Sequence, residues 1–211
     1  MLLNKHPGIF VAIEGLDGSG LSTQAKLVVD LLRLQSVTAF ATKEPTNNVV
    51  GGLIRGILSG VTTFPSDGFQ LLFAADRSHH IVREIVPSIK DASVVVSDRY
   101  FWTSVAYGGI NLDRQWLLDI NRDFMLPDLT IFLNLKPEVA ISRIKKDRFE
   151  LELFEKKKEL TKVRENYMWL LKKFPKNIHM IDAGRDRQEV SREIFSLIQR
   201  LPKFSKLKKL K

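Results

Sequence analysis

Residues 15–23 read Gly-Leu-Asp-Gly-Ser-Gly-Leu-Ser-Thr, and this stretch indicates the fold more strongly than any other. It matches the phosphate-binding loop G-x-x-x-x-G-K-[ST] at every position except the lysine, which is replaced by Leu21. The apolar run Ile9 to Ile13 precedes it, and the helical segment Ser22 to Leu34 follows it. Because this motif joins a strand to a helix, its surroundings support the assignment, and residues 15–23 are called the phosphate loop below.

The substitution at Leu21 removes one charge and leaves the other elements of the loop in place. Its glycines let the backbone turn tightly and direct N–H groups toward a polyphosphate, aided by the positive end of the helix dipole. Ser22 keeps the hydroxyl that such loops offer to Mg²⁺, and Thr23 lies beside it. A lysine would add a mobile charge near the β- and γ-phosphates, which leucine cannot supply. Taken alone, the stretch is also compatible with a glycine-rich turn that binds no ligand.

Composition restricts the classes of function. The 211 residues, 44% of them hydrophobic, suit one domain over residues 1–211. The absence of cysteine excludes disulfides and thiolate zinc sites. The N-terminus lacks a signal-peptide pattern, and no apolar stretch is long enough to span a bilayer. We therefore expect a cytoplasmic protein with no membrane partner.

The net charge of +9 would suit an anionic ligand or nucleic acid equally well. Much of the excess lies at 143–148, 156–162 and 203–211, without the interleaved aromatics typical of a single-strand binding surface. We interpret the basic C-terminal tail, about 202–211, as mostly solvated, with a weak contact to a polyanion as the alternative. Nucleic acid is therefore not the expected partner.

Short apolar runs alternate with segments long enough for helices. The runs are Ile9 to Ile13, Val37 to Ala41, Ser93 to Val96, Leu129 to Leu135 and Ile178 to Ile181. Alternating strands and helices predict an α/β fold, with a five-stranded parallel sheet and helices on both faces. Ligands bind beyond the carboxyl ends of such strands, so residues at those positions are candidates for a site.

Two strand ends carry charged residues. Thr42-Lys43-Glu44-Pro45 follows the second run, and Ser97-Asp98-Arg99-Tyr100 follows the third. A carboxylate directly after a buried strand can reach Mg²⁺, and an adjacent arginine offers a planar fork for phosphate. A surface salt bridge is the alternative for an isolated Asp-Arg pair.

In this order and spacing, the sequence resembles the thymidylate kinase family over nearly its full length. The resemblance is carried by the phosphate loop, Glu44-Pro45, residues 71–77 (Leu-Leu-Phe-Ala-Ala-Asp-Arg), residues 98–109 and Pro127-Asp128-Leu129. It implies a P-loop nucleoside monophosphate kinase fold and transfer of the γ-phosphoryl group of ATP to dTMP, with Mg²⁺. Family members are usually homodimers, so a homodimer is expected here.

The resemblance also implies roles for residues that would bind the acceptor nucleotide. Asp17 would hydrogen-bond the sugar 3′-hydroxyl, Phe73 would stack on thymine and Arg77 would contact the base edge. Arg99 would hold the acceptor phosphate, Ser104 would lie near the thymine ring nitrogen, and Tyr107 would pack under the sugar. Glu44 belongs to the same substrate-binding set.

On the donor side, the resemblance implies that ATP is bound by Gly15, Gly18, Ser19, Gly20, Leu21, Ser22 and Thr23. Ser22 and Asp98 would hold the metal. A lid over about 143–156 would close on ATP, and its Arg143 and Arg148 are the leading catalytic cations beside Asp17, Asp98 and Arg99, with Lys145 and Lys146 behind them. Because Asp17 is followed by Gly18, the version of the family with lid arginines fits better.

Three alternatives stay open from the sequence. One is a kinase for another pyrimidine nucleotide or nucleoside. Another is a nucleotide-binding protein that lost catalysis with the loop lysine. A third is binding of nucleic acid by the basic tail.

Overall fold

Five parallel strands form one sheet in the described part of the chain, as the alternating pattern predicts. The computed structural model describes residues 2–144, 150–176 and 178–207, with the side chains of these residues except 150–156. The strands are β1 (Ile9–Gly15), β2 (Ala39–Lys43), β3 (Val94–Asp98), β4 (Leu129–Asn134) and β5 (Ile178–Asp182). Their order in the sheet is β2-β3-β1-β4-β5.

Strand β1 lies at the centre, paired with β3 on one side and β4 on the other. All of its residues are buried, which requires helices on both faces of the sheet. Strand β2 is at an edge, and its Phe40 is partly exposed. It begins two residues later than the predicted run, because the Val37 N–H closes the turn after the preceding helix by donating to Leu32 O at 3.0 Å.

The helices connect the strands in chain order. They are α1 (Leu21–Leu34), α2 (Val49–Leu58), α3 (Ser66–His80), α4 (Val86–Lys90), α5 (Phe101–Gly108), α6 (Arg114–Asp119), α7 (Pro137–Ile144), α8 (Glu150–Lys173) and α9 (Arg187–Gln199). A π-helical turn, Ile81–Ile85, joins α3 to α4. Helix α1 packs against α9, while α5 packs against α3 and α8.

Strand register brings three carboxyl ends to one edge of the sheet. Lys43 on β2 pairs with Asp98 on β3, and Asp98 pairs with Ile13 on β1. The phosphate loop leaves β1 at this same edge. Within the described ranges, no helix has both the length and the apolar character needed to cross a bilayer.

The start of the basic C-terminal segment is attached to the domain. Lys203 Nζ donates to Asp128 Oδ1 and to Asn4 O, each at 2.8 Å. Leu207 is buried. The expectation of a mostly solvated tail therefore needs correction for Lys203 and Leu207, and residues 208–211 lie outside the described part of the chain.

Candidate active site

The phosphate loop holds its shape through glycines at positions that other residues do not tolerate. Gly18 has φ 82°, and a Cβ there would lie 2.5 Å from Ala140 O on α7. Gly20 caps the N-terminus of α1 with φ 96°, and no side chain among the described residues caps that helix. The first N–H groups of α1 are therefore available to an anion.

Leu21 takes no part in the polar surface of the loop. Its side chain is 6% exposed and belongs to the hydrophobic core, where a leucine at the start of α1 fits well. The structure thus explains how the loop tolerates leucine, since the fold gains an apolar contact while the backbone geometry is kept. It also leaves the site without the charge that a lysine would bring.

Ser22 and Asp98 face each other where α1 begins and β3 ends. The Ser22 hydroxyl donates to Asp98 Oδ2, and Asp98 is largely buried. A hydroxyl and a carboxylate are hard oxygen ligands, and Mg²⁺ commonly binds one or two carboxylates together with substrate phosphates and water. The pair therefore fits the metal that the sequence predicts.

Both residues line a cavity of about 390 Å³ between α1 and the ends of β2 and β3, called the β2–β3 cavity below. Lys43, Thr46 and Asn47 line it as well.

Asp17 and Arg99 form an ion pair at the opposite end of the loop. Arg99 Nη2 donates to Asp17 Oδ1 at 2.5 Å, and Arg99 Nη1 donates to Gly15 O at 3.3 Å. Tyr107 fixes the same corner, because its hydroxyl accepts from the Asp17 N–H at 3.0 Å and its ring lies 5.3 Å from the Arg99 guanidinium.

The backbone and the surroundings of Arg99 are both unusual. It has φ 72°, a left-handed conformation that is rare outside glycine and is often found at functional sites. Burial opposes its charge, but Tyr107, Tyr167, Asp17 and Asp98 outweigh burial and hold the pKa of Arg99 above its ordinary value. The guanidinium is a fixed positive charge beside the loop.

A cavity of about 600 Å³ lies between α3 and α5 and opens beside this pair. We call it the α3–α5 cavity. Its lining includes Asp17, Phe73, Arg99, Ser104 and Tyr107, five of the residues expected to bind the acceptor nucleotide. Phe69 lies beside Phe73 with ring centroids 5.0 Å apart, so an aromatic surface forms one wall.

Arg77 and Glu44 lie behind this cavity, and neither is part of its lining. Arg77 is 1% exposed and forms an ion pair with Glu44 at 2.7 Å. Its guanidinium also donates to Asn121 Oδ1 at 2.5 Å and to Ser104 Oγ at 3.2 Å. In this structure Arg77 supports the cavity wall through Ser104, whereas the sequence suggests direct contact with a base.

A third cavity, of about 410 Å³, lies between α1 and α9 on the other side of the loop. This α1–α9 cavity is lined by Gly18, Ser19, Gly20 and Thr23 together with Arg143. Arg143 Nη1 donates to Ala183 O at 3.1 Å, which holds the side chain beside the loop. Arg148, Lys145, Lys146 and most of the expected lid over 143–156 lie outside the described residues.

Glu14 is a site residue that sequence reasoning missed. Its carboxylate accepts from the Tyr100 N–H at 2.8 Å, Thr103 Oγ1 at 2.5 Å and Tyr167 OH at 2.9 Å. Burial raises the pKa of Glu14 to about 7, although these hydrogen bonds and the charge of Arg99 lower it. Thr103 also accepts from Arg99 Nη1 at 3.2 Å, so Glu14 helps to position that arginine. The available signal was an acidic residue inside an apolar strand.

Gln70 is another residue that the sequence did not single out. It is 7% exposed, lines the α3–α5 cavity and, within the described part of the chain, has no hydrogen-bond partner for Oε1. Ser19 Oγ and Gln24 Oε1, in the α1–α9 cavity, are also buried without a hydrogen-bond partner among the described residues. Since buried polar atoms are normally paired, these three atoms indicate that polar ligands complete both cavities.

Comparison with known proteins agrees with this geometry. A family model described as thymidylate kinase matches residues 13–194. A protein of Thermococcus gammatolerans named "Probable thymidylate kinase" is 40% identical over 203 residues, covering 91% of this chain and 96% of the relative. "Probable thymidylate kinase 1" of Saccharolobus solfataricus is 40% identical over 192 residues, covering 90% and 96% respectively. The chain therefore belongs to the thymidylate kinase family.

Proposed function

We propose that this chain transfers the γ-phosphoryl group of ATP to dTMP, giving dTDP and ADP. The observation that carries this proposal is that one loop lines all three cavities. Asp17 lines the α3–α5 cavity, Ser22 lines the β2–β3 cavity and residues 18–20 line the α1–α9 cavity. A donor on one side of the loop and an acceptor on the other would bring their phosphates together, which phosphoryl transfer requires.

The α3–α5 cavity suits dTMP. Phe73 and Phe69 offer an apolar, aromatic wall to a pyrimidine, while Ser104 and Gln70 offer polar groups to its edge. Arg99 lies at the loop end of the cavity, where its charge would hold the acceptor phosphate. Arg77 would act on the base indirectly by fixing Ser104.

The α1–α9 cavity suits ATP, because backbone N–H groups at the start of α1 favour phosphates and Arg143 adds positive charge. An oxygen of the dTMP phosphate would attack the γ-phosphorus while the bond to the β–γ bridging oxygen breaks and ADP leaves. Ser22 and Asp98 would hold Mg²⁺, which when bound neutralises charge on the β- and γ-phosphate oxygens. The chain itself contributes orientation and fixed positive charge rather than proton transfer.

A homodimer also belongs to this proposal. Large apolar side chains are exposed on α2, α3 and the π-helical turn, among them Val49, Leu53, Leu71 and Val82. Exposed apolar residues on adjoining elements favour burial against a second chain. One chain has a mass of 24.1 kDa, and sedimentation should give twice that mass. Leu53→Glu should lower the measured mass toward that of one chain. Recovery of the monomer at assay concentrations would contradict the dimer.

A cytoplasmic location stays a prediction.

The decisive experiment incubates the purified chain with ATP, Mg²⁺ and each of dTMP, dUMP, UMP and dCMP, and measures ADP and the nucleoside diphosphate. We expect dTDP to form fastest. Lys90→Met, an exposed substitution in α4, is the control for handling of the variants. Transfer above background to none of the four acceptors would overturn the proposal, and binding of ATP and dTMP without turnover would support a catalytically silent protein instead.

A further inference from the structure

Because Leu21 stands in place of the loop lysine, another residue has to supply the cation that faces the transferred phosphoryl group. Among the described residues, four arginines line the α3–α5 or α1–α9 cavity; three of them already have partners, and the fourth, Arg187, lies at the start of α9 and outside the β2–β3 cavity. Arg99 is paired with Asp17 and lies at the α3–α5 cavity, and Arg143 is held by Ala183 O. Arg185, beside the α1–α9 cavity, is paired with Glu193.

Lys43 is placed differently. It is the last residue of β2, and the strand register sets it directly beside Asp98. It lines the β2–β3 cavity together with Ser22 and Asp98, the two residues that fit the metal, and among the described residues it is the only lysine or arginine in that lining. Lys43 therefore lies beside the residues that fit the metal, at the carboxyl end of the sheet from which the phosphate loop leaves.

The side chain of Lys43 is also uncommitted. It is exposed, and it makes no hydrogen bond or ion pair within the described residues, not even with the neighbouring Asp98. A lysine has a flexible four-carbon stem and a compact charge with three donors, so it can follow a phosphoryl group that moves between two ligands. Lys43 is therefore free to contact an anionic ligand bound beside Asp98 and Ser22.

We propose that Lys43 supplies the positive charge beside the transferred phosphoryl group that Leu21 cannot supply. This rests on the proposed function. As the acceptor oxygen bonds to the γ-phosphorus and the β–γ bridging bond breaks, negative charge spreads over the three equatorial oxygens, and the ammonium group contacts them from β2. Lys43 keeps its proton throughout, so no acid or base is required of it.

The test compares Lys43→Met and Lys43→Arg with the wild type and with the control Lys90→Met. Lys43→Met removes the positive charge and should lower kcat on the order of 10²-fold, while the KM for dTMP stays nearly unchanged. Lys43→Arg should stay within about tenfold of the wild type because the charge is kept.

A binding measurement provides a readout that is independent of turnover. ADP with Mg²⁺, aluminium fluoride and dTMP imitates the transferring phosphoryl group. Lys43→Met should weaken this complex on the order of 10²-fold and leave the affinity for ADP alone unchanged.

Two outcomes overturn the inference. If the wild type transfers phosphate and Lys43→Met stays within about twofold of it in both rate and aluminium fluoride affinity, Lys43 is not the cation and the lid residues become the candidates. If the wild type transfers to no acceptor, the proposed function fails first, and the inference fails with it.

Discussion

The α3–α5 cavity and the phosphate loop are built from different chemical groups. The cavity depends on side chains that are fixed before any ligand arrives, because Arg77 is held by Glu44, Asn121 and Ser104 in the buried wall. The loop depends on backbone N–H groups at the start of α1, whose positions follow from Gly18 and Gly20. One region is built from specific side chains and the other from backbone shape.

This difference explains where the molecule tolerates change. At Leu21 the loop has replaced a charged residue with an apolar one, yet the backbone that would cradle phosphate is intact and the new side chain is buried in the core. An apolar residue in place of Arg77 would leave Glu44, Asn121 and Ser104 without the donor that they share in the buried wall. We therefore expect substitutions in the cavity wall to cost more than substitutions of side chains in the loop.

The largest effect is expected from Arg77→Met. It leaves the Glu44 carboxylate buried without its ion-pair partner, although His80 Nδ1 remains 3.1 Å away. Removing one member of a buried pair costs about 3–5 kcal/mol, and we expect the free energy of unfolding in urea to fall by that amount.

The control for this prediction is the double variant Arg77→Met with Glu44→Gln. It removes the unpaired charge and should recover part of the lost stability. A single variant as stable as the wild type would show that the wall does not depend on this pair.

The second effect concerns Arg99, the arginine at the mouth of the cavity. Its side chain is largely buried, at 18% exposure, but its partner Asp17 is 45% exposed and stays solvated when the arginine is removed, so Arg99→Ala should cost less stability than Arg77→Met. Under the proposed function, Arg99→Ala loses the fixed positive charge that would hold the acceptor phosphate, so kcat/KM for dTMP should fall on the order of 10³-fold, equivalent to about 4 kcal/mol.

The affinity for ATP measured without acceptor should be unchanged in Arg99→Ala, which separates the two sides of the loop. Turnover close to that of the wild type would remove Arg99 from the site.

The two regions also differ in how well the sequence predicts them. The loop and the five strands are local patterns, in which glycine spacing and apolar runs indicate the geometry directly. Ser22 and Asp98 are 76 residues apart, but each belongs to its own local motif, the loop and the end of β3. Strand ends were off by one or two residues where turns intervene, as at Val37. The burial of Leu21 could not be predicted, because a leucine at this position gives no indication of which way it points.

The cavity wall was harder to predict, because its residues come from distant parts of the chain. The resemblance to thymidylate kinases grouped Phe73, Ser104 and Tyr107, and the structure places all three in the lining of the α3–α5 cavity. It did not show that Arg77 lies behind the wall, since that depends on Asn121, 44 residues along the chain. Glu14 and Gln70 were missed because a polar residue in a strand or helix acquires its role only from what packs against it.

The smallest effect comes from Glu14, which links the two regions. It lies on β1 just before the loop and binds Tyr100 and Thr103 on the cavity side. Burial raises the pKa of Glu14 to about 7 from an ordinary value of 4.5.

Below pH 4.5 the carboxyl is protonated in the folded and unfolded chains alike. Between pH 4.5 and about 7 the unfolded chain gives up this proton first, so folding loses stability as the pH rises, and the loss is complete above that range.

Glu14→Gln removes this titration, whereas Glu165→Gln, an exposed substitution on α8, leaves it in place. Urea unfolding at pH 5 and pH 8 should show the wild type losing up to about 3 kcal/mol relative to Glu14→Gln, from about 1.4 kcal/mol for each pKa unit. A constant offset between the variants, caused by altered hydrogen bonds to Thr103 or Tyr167, does not affect this difference. Parallel pH profiles for the wild type and Glu14→Gln would mean that the carboxylate is ionised in the folded chain throughout. Arg99 and the hydroxyl groups would then stabilise its charge more than burial opposes it, and the junction between loop and cavity would be another region of paired charges like the wall around Arg77.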